Sequence, residues 1–301
     1  MSMKVEKILE PVVLGEGPHW DDSQQCLYYT DIFAFIILLC KDKDFLPDGR
    51  VAFIVPVDGA PGQFVVGVER KFLIIQWDGK DGRKVSVTKE LGEVDQDEPR
   101  NKINDGKADP KGRLFAGTLR YDDPPGEFQL NKGSLFRIDT GKGGNIEKLA
   151  QGVTISNGLA WDLKEKAFYY IDSMEKNIRR YDYNVETGEL SNMKYIFDLE
   201  KNKIQGIPDG MTIDTDGNLW VAVFGGSCVL KINPKTSELL LKVPIPVEQV
   251  TSVTFGGPKF DVLFVTTASL NMGKEQLPPS GATFRVLGLG VKGLPNNNFK
   301  L

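Results

Sequence analysis

Six β-rich segments recur along the chain, and their spacing limits the folds open to it more than any single motif does. Each holds a short run of β-branched and aromatic residues, a polar or Gly break, and a second run. They are CLYYTDIFAFIILL, QFVVGVERKFLIIQWDG, GRLFAGTLR with GSLFRID, KAFYYIDSMEKNIRRYDYN, GNLWVAVFGGSCVLKINP, and DVLFVTTAS with GATFRVLGLG. Alternating Tyr, Phe, Val and Ile reads as strand, and the breaks read as hairpins. A further short strand precedes each segment, and four of these share a polar residue with Asp five positions later: Glu16 and Asp21, Asn104 and Asp109, Asn157 and Asp162, Asp209 and Asp214. Phe53 and Ser252 hold the corresponding place in the other two. Successive intervals from Glu16 are then 37, 51, 53, 52 and 43 residues. A repeat of roughly 50 residues is the size of a four-stranded propeller blade. No stretch sustains the i, i+3, i+4, i+7 apolar pattern that alternating βα units would need. The expectation is an all-β, six-bladed β-propeller with four-stranded antiparallel blades around a central channel, one domain over 1–301. The N-terminal strand within 5–14 would complete the last blade. The short first interval predicts an abbreviated first blade, with the apolar run Ile32 to Cys40 buried in it.

Composition narrows the partners. The 301 residues carry 37 basic and 41 acidic side chains, a formal charge of −4. Such a chain presents no field to draw in nucleic acid or an anionic membrane. The longest apolar run is about half of the roughly 18 to 20 residues a spanning helix requires. The N-terminus lacks the apolar core of a signal peptide, and three well-separated cysteines (Cys26, Cys40, Cys228) fit reduced thiols better than a disulfide framework. These features predict a cytoplasmic monomer acting on a small molecule.

In a propeller the innermost strands line the channel, so a sequence period becomes spatial convergence. Glu16, Asn104, Asn157 and Asp209 should therefore meet near one mouth. Two carboxylates and two amides make an all-oxygen set suited to a hard divalent cation, Ca²⁺ first, with Mg²⁺, Mn²⁺ and Zn²⁺ as alternatives. The competing explanation is turn chemistry. Each of these residues except Asn104 directly precedes Gly, a strong hairpin signal. A turn does not explain why acids and amides alone occupy the slot in four repeats. The downstream aspartates read as turn residues, the lone His19 as structural, and Trp20 and Trp161 as packing between sheets.

The segments GEGPHWD (15–21), NDGKADPKGRLFAGT (104–118), ISNGLAWD (155–162), YYIDS (169–173), PDGMTIDTDGNLWVAVFGG (208–226), TSVTFGGP (251–258) and GLGVKG (288–293) resemble the regucalcin, gluconolactonase and luciferin-regenerating enzyme family. The resemblance spans nearly the whole chain and is nearest to the insect branch that contains firefly luciferin-regenerating enzyme. It implies one divalent cation held by Glu16, Asn157 and Asp209, with Asp209 also managing a proton. It implies substrate contacts at Asn104, Lys102 and Asp122. Lys102 stands where the family usually has Arg, and a point charge replaces a planar fork; Arg100 nearby is an alternative source of that contact. The implied activity is metal-dependent hydrolysis of a small lactone or ester, with luciferin-regenerating or detoxifying activity as its setting. The alternatives are a calcium-binding regulatory protein without turnover and a protein-interaction propeller.

Overall fold

The computed structural model describes residues 2–301 except 35, 40–41, 46–48, 80–84, 123–126 and 143, and the backbone alone of 36–39, 42–45, 121–122, 127–128 and 142. After β1 (Lys4–Lys7), the strands fall into successive groups. The first is β2 (Gly15–Asp21), β3 (Cys26–Asp31), β4 (Ile36–Leu39) and β5 (Asp42–Phe45). The second is β6 (Val51–Pro56), β7 (Gln63–Val68), β8 (Lys71–Gln76) and β9 (Ser86–Glu93). The third is β10 (Asn101–Ala108), β11 (Leu114–Asp122), β12 (Glu127–Phe128), β13 (Gly133–Asp139) and β14 (Asn145–Val153). The fourth is β15 (Ser156–Asp162), β16 (Ala167–Asp172), β17 (Asn177–Tyr183) and β18 (Leu190–Asp198). The fifth is β19 (Ile207–Ile213), β20 (Leu219–Phe224), β21 (Cys228–Asn233) and β22 (Glu238–Pro244), and the chain ends with β23 (Val250–Gly256), β24 (Val262–Thr267) and β25 (Phe284–Leu287).

All these strands pair antiparallel, and the fold is an all-β propeller. The expectation of six four-stranded blades needs correction. Five blades are each built from one contiguous stretch of chain, and the remaining sheet is a composite of both ends, in the order β1-β25-β24-β23. The third contiguous blade has five strands, because β12 pairs with the outer end of β11. Pairing of Lys4 to Lys7 with Phe284 to Leu287 joins the two ends of the chain in one sheet, of which β1 is the outer strand, and ladder hydrogen bonds thereby close the ring. The first blade is short on its outer side, where β4 and β5 have four residues each.

Apolar faces of neighbouring sheets pack on each other, so the core is a series of wedges between blades. Trp20 stacks on Phe264 of the composite sheet at 5.3 Å, Trp161 meets Phe115 of the preceding blade at 5.4 Å, and Trp220 meets Phe255 of the following sheet at 5.5 Å. The aromatic in each case sits where blades converge, and its ring fills the gap between their faces. Of the turn aspartates, Asp21 accepts from Ser23 N and Gln24 N, Asp109 from Lys111 N and Arg113 N, Asp162 from Lys164 N, and Asp214 from Asp216 N and Asn218 N. They are Asx-type turns, as expected.

The C-terminal segment has a role that the repeat pattern does not reveal. It runs across the ends of the inner strands farthest from Glu16. Lys292 O accepts from Thr215 N, Asn296 donates to Thr254 Oγ1, Asn297 donates to Ala108 O, and Phe299 exchanges hydrogen bonds with Pro56 O and Asp58 N. Phe299 is fully buried beside Val55, Val57 and Ala108. The tail thereby ties several blades together at that end. No helix among the described residues is long and apolar enough to cross a membrane.

Candidate functional site

Each innermost strand breaks register near its start. The irregularities fall between Glu16 and His19, Val51 and Ile54, Ile103 and Asp105, Asn157 and Leu159, Pro208 and Met211, and Val250 and Ser252. A bulge re-aims the side chain it carries. Here Asn104 and Asp209 lie within the irregularity, while Glu16 and Asn157 are the last paired residues before it, opposite Thr30 and Ile171. The glycines that follow therefore sit inside bulged strands and not in hairpin turns, which overturns the turn explanation. Gly17 has φ +56°, a left-handed conformation that a side chain would strain. A Cβ at Gly210 would lie 1.9 Å from Ser252 Oγ, so only glycine lets β19 approach β23 this closely. Phe53, at the same position in the second blade, is fully buried and fills its sector with a ring.

Aspartates on the second strands fix the approach to two of these bulges. Asp31 accepts from Val13 N (2.9 Å) and Leu14 N (3.0 Å), just before Glu16. Asp172 accepts from Thr154 N (2.9 Å) and Ile155 N (3.1 Å), just before Asn157. The same device thus recurs ahead of the polar residue in the first and fourth blades.

Glu16, Asn104, Asn157, Asp209 and Lys102 all line one cavity of about 700 Å³. Glu16, Asn157 and Asp209 are buried. Asn157 Nδ2 donates to Ser173 Oγ at 2.8 Å, which leaves its Oδ1 facing Asn104, whose Nδ2 lies 3.0 Å away. Asn104 also donates to Ser156 O at 2.8 Å. Glu16 accepts from Gly17 N at 3.2 Å. Asp209 Oδ1 is buried and has no hydrogen-bond partner. Desolvation pushes the Glu16 carboxyl well above its usual range, and the charges of Asp209 and Asp105 push it further. Asp209 is likewise raised, by desolvation first and then by Asp105. Asp105 itself is raised to about 6 by desolvation, against the opposing charge of Lys107.

An unpaired carboxylate oxygen held among other carboxylates and away from water is unfavourable without a compensating cation. The donors present are carboxylate and amide oxygens, the chemistry of Ca²⁺ and related hard cations. These residues fit such an ion. No cluster of three or more His, Cys, Asp or Glu side chains able to hold a metal occurs among the described residues, because two of the oxygens here come from asparagine. His19 lies outside the cavity lining, is buried, and has its pKa lowered to about 4 by desolvation.

Lys102 lines the cavity, but its ammonium is held by the Glu69 carboxylate. Arg100 is exposed and does not line the cavity. The second cation at the cavity wall is Arg50, whose guanidinium sits over the Phe33 ring at 4.8 Å and whose backbone N–H donates to Glu69 Oε1 at 3.0 Å. The side chain of Asp122 lies outside the described residues. Apolar groups make up much of the remaining wall, among them Ile32, Phe33, Ile155, Ile207, Phe224 and Met272. Ile32 begins the run expected to be buried in the first blade. Ile32 is buried, as expected, and with Phe33 it also lines the site; the side chains of 35–40 lie outside the described residues. Arg50 and Phe33 carry no motif that marks them in sequence; their signal is position, at the ends of strands that open towards the mouth.

The family model for the SMP-30/Gluconolactonase/LRE-like region matches residues 14–269. The chain belongs to this family. Among curated proteins, pig (Sus scrofa) regucalcin is 37% identical over 98% of this chain and 97% of its own length. Human regucalcin is 36% identical over 97% of each. Among solved structures, a luciferin-regenerating enzyme matches with a TM-score of 0.92 and 39% identity, covering 100% of both chains. The chain is thus a full-length match both to regucalcins and to a luciferin-regenerating enzyme.

Proposed function

We propose that this member of the SMP-30/gluconolactonase/LRE-like family is a divalent-metal-dependent hydrolase acting on a small lactone or ester. The observation that carries the reading is the buried, unpartnered Asp209 Oδ1 beside Glu16 at the base of an open cavity. Glu16, Asn157 and Asp209 would hold the cation, Ca²⁺ first and Mn²⁺, Mg²⁺ or Zn²⁺ as alternatives. A bound divalent cation supplies Lewis acidity towards a carbonyl oxygen and lowers the pKa of water. The protein's own groups do the rest. Asn104, whose two amide hydrogens go to Ser156 O and Asn157 Oδ1, presents its Oδ1 as an acceptor to the attacking water or to a substrate hydroxyl. Asp209 accepts the proton of the attacking water as its oxygen bonds to the carbonyl carbon. The same proton then passes to the departing alkoxide when the ring C–O bond breaks, giving a hydroxy acid and restoring the carboxylate. The apolar wall and paired Lys102 favour a substrate with an apolar body over a polyhydroxylated one, since few groups there offer hydrogen bonds to hydroxyls.

The test is hydrolysis of gluconolactone and of an aromatic ester by metal-stripped protein, with Ca²⁺, Mn²⁺, Zn²⁺ and Mg²⁺ restored in turn. Turnover that returns with one ion and is absent in Asp209→Asn supports the hydrolase. Tight Ca²⁺ binding without turnover of any lactone or ester would favour the regulatory alternative, and retained turnover in Asp209→Asn would remove this ring as the active site.

A further inference from the structure

Lys107 lies below the ring, on the inner strand of the third contiguous blade. Its Nζ donates to Met211 O at 2.9 Å, joining β10 to β19 across the intervening fourth blade. Met211 is where β19 regains its register after the irregularity that carries Asp209. Met211 itself pairs with Val221 beyond the irregularity, and on an innermost strand its carbonyl needs a partner from the channel side, since a buried carbonyl without one is costly. Lys107 supplies the donor for this one. Gly210, between Asp209 and Met211, is packed against Ser252 and leaves the segment little room on its other side. The bulge is thus held from two directions, by β23 and by the Lys107 ammonium.

The charges in the channel fit the same picture. Glu16, Asp209 and Asp105 interact electrostatically, and Lys107 is the cation that acts on Asp105. Three carboxylates against one ammonium leave a deficit of two positive charges, which one divalent cation cancels. Two effects of Lys107 on a bound cation therefore oppose each other. As a charge it repels the ion; as a strut it fixes a ligand.

Resting on the metal-dependent reading above, we infer that Lys107 is a positioning residue whose hydrogen bond to the Met211 carbonyl fixes the β19 bulge and so aims the Asp209 carboxylate at the cation. The strut outweighs the repulsion, because a ligand held in place gains far more than is lost to one like charge that Asp105 already offsets.

The two effects predict opposite signs, which makes the test decisive. Lys107→Met alone would strand Asp105 and could unfold the protein, so the comparison is made in a background without that charge: Asp105→Asn against the Asp105→Asn, Lys107→Met double variant. Ca²⁺ affinity is read by calorimetry on full-length, metal-stripped protein, and folding by thermal melting. Loss of the strut should weaken Ca²⁺ binding about tenfold or more, the scale seen when groups that orient metal ligands are removed. At saturating Ca²⁺, kcat should fall while KM stays within about twofold. Asp105→Asn, Lys107→Arg keeps a cationic donor and should recover most of the affinity. Equal or tighter Ca²⁺ binding in the Lys107→Met double variant would mean that Lys107 acts only as a charge and would overturn the inference. Should the wild-type protein bind no Ca²⁺, Mn²⁺, Zn²⁺ or Mg²⁺, the metal reading falls, and the role of Lys107 falls with it.

Discussion

Asp209→Asn should stabilise the metal-free protein while it removes the response to metal. Asp209 is buried, its Oδ1 has no partner, and its carboxyl is pushed well above the usual range by desolvation and by Asp105. A raised folded-state pKa means that the native protein binds more protons than the unfolded chain between the ordinary carboxylate range and the raised value. Stability then falls as pH rises through that window. A buried ion without a partner carries an effective penalty of several kcal/mol, and we take about 2 kcal/mol as the part recovered by the isosteric amide. For a chain of this size that is a rise in Tm of about 3 °C. The assay is calorimetric melting of chelator-treated protein from about pH 5 to about pH 8, where the two forms should converge at the acid end and separate at the other. Ca²⁺ at about 100 times its Kd should restore about 2.7 kcal/mol to the wild type and nothing to the variant. A variant no more stable than wild type near pH 8, or one that Ca²⁺ stabilises equally, would refute the argument.

What could be read in the sequence was whatever the repeat encodes. The common slot of Glu16, Asn104, Asn157 and Asp209 is a property of period, and the inner strands of a propeller turn period into convergence on one cavity. The break in register at these residues was hidden, because a bulge and a hairpin both recruit glycine. Gly17, Gly158 and Gly210 look like turn signals until the pairing register is known. Residues that enter the site once, and not in every blade, were not legible. Arg50 and Phe33 come from the short first blade and the start of the second, where the repeat is weakest. The pairing of Lys102 with Glu69 brings together residues of different blades. The same holds for the tail, since Phe299 belongs to no repeat and its place depends on the shape of the finished ring. The extra strand β12 is an insertion within one blade, and two residues of strand carry too little pattern to detect.

Phe299→Ala should cost about 3 to 5 kcal/mol by opening a cavity among Val55, Val57 and Ala108, lowering Tm while Ca²⁺ affinity at lower temperature is retained. Loss of affinity in step with Tm would show that the tail also shapes the site. Asp172→Asn leaves the amides of Thr154 and Ile155 with one good acceptor oxygen in place of two, so Asn157 should be held less firmly, and Ca²⁺ binding should weaken by about tenfold; unchanged binding would make Asp172 purely a stabiliser of the fourth blade. Lys102→Arg tests specificity. A guanidinium there offers two parallel donors to vicinal hydroxyls, each charge-assisted bond contributing about 1.5 to 3 kcal/mol. Glu69 already holds the Lys102 ammonium and would compete for the fork, so the lower end applies, close to a tenfold gain in kcat/KM for gluconolactone. An aromatic ester packed on Phe33 and Phe224 makes no use of those donors and should change little. The quantity that decides is the ratio of the two kcat/KM values in each protein. If that ratio is the same with Lys and with Arg, residue 102 serves only to pair Glu69, and selection among substrates belongs to the apolar wall and Arg50.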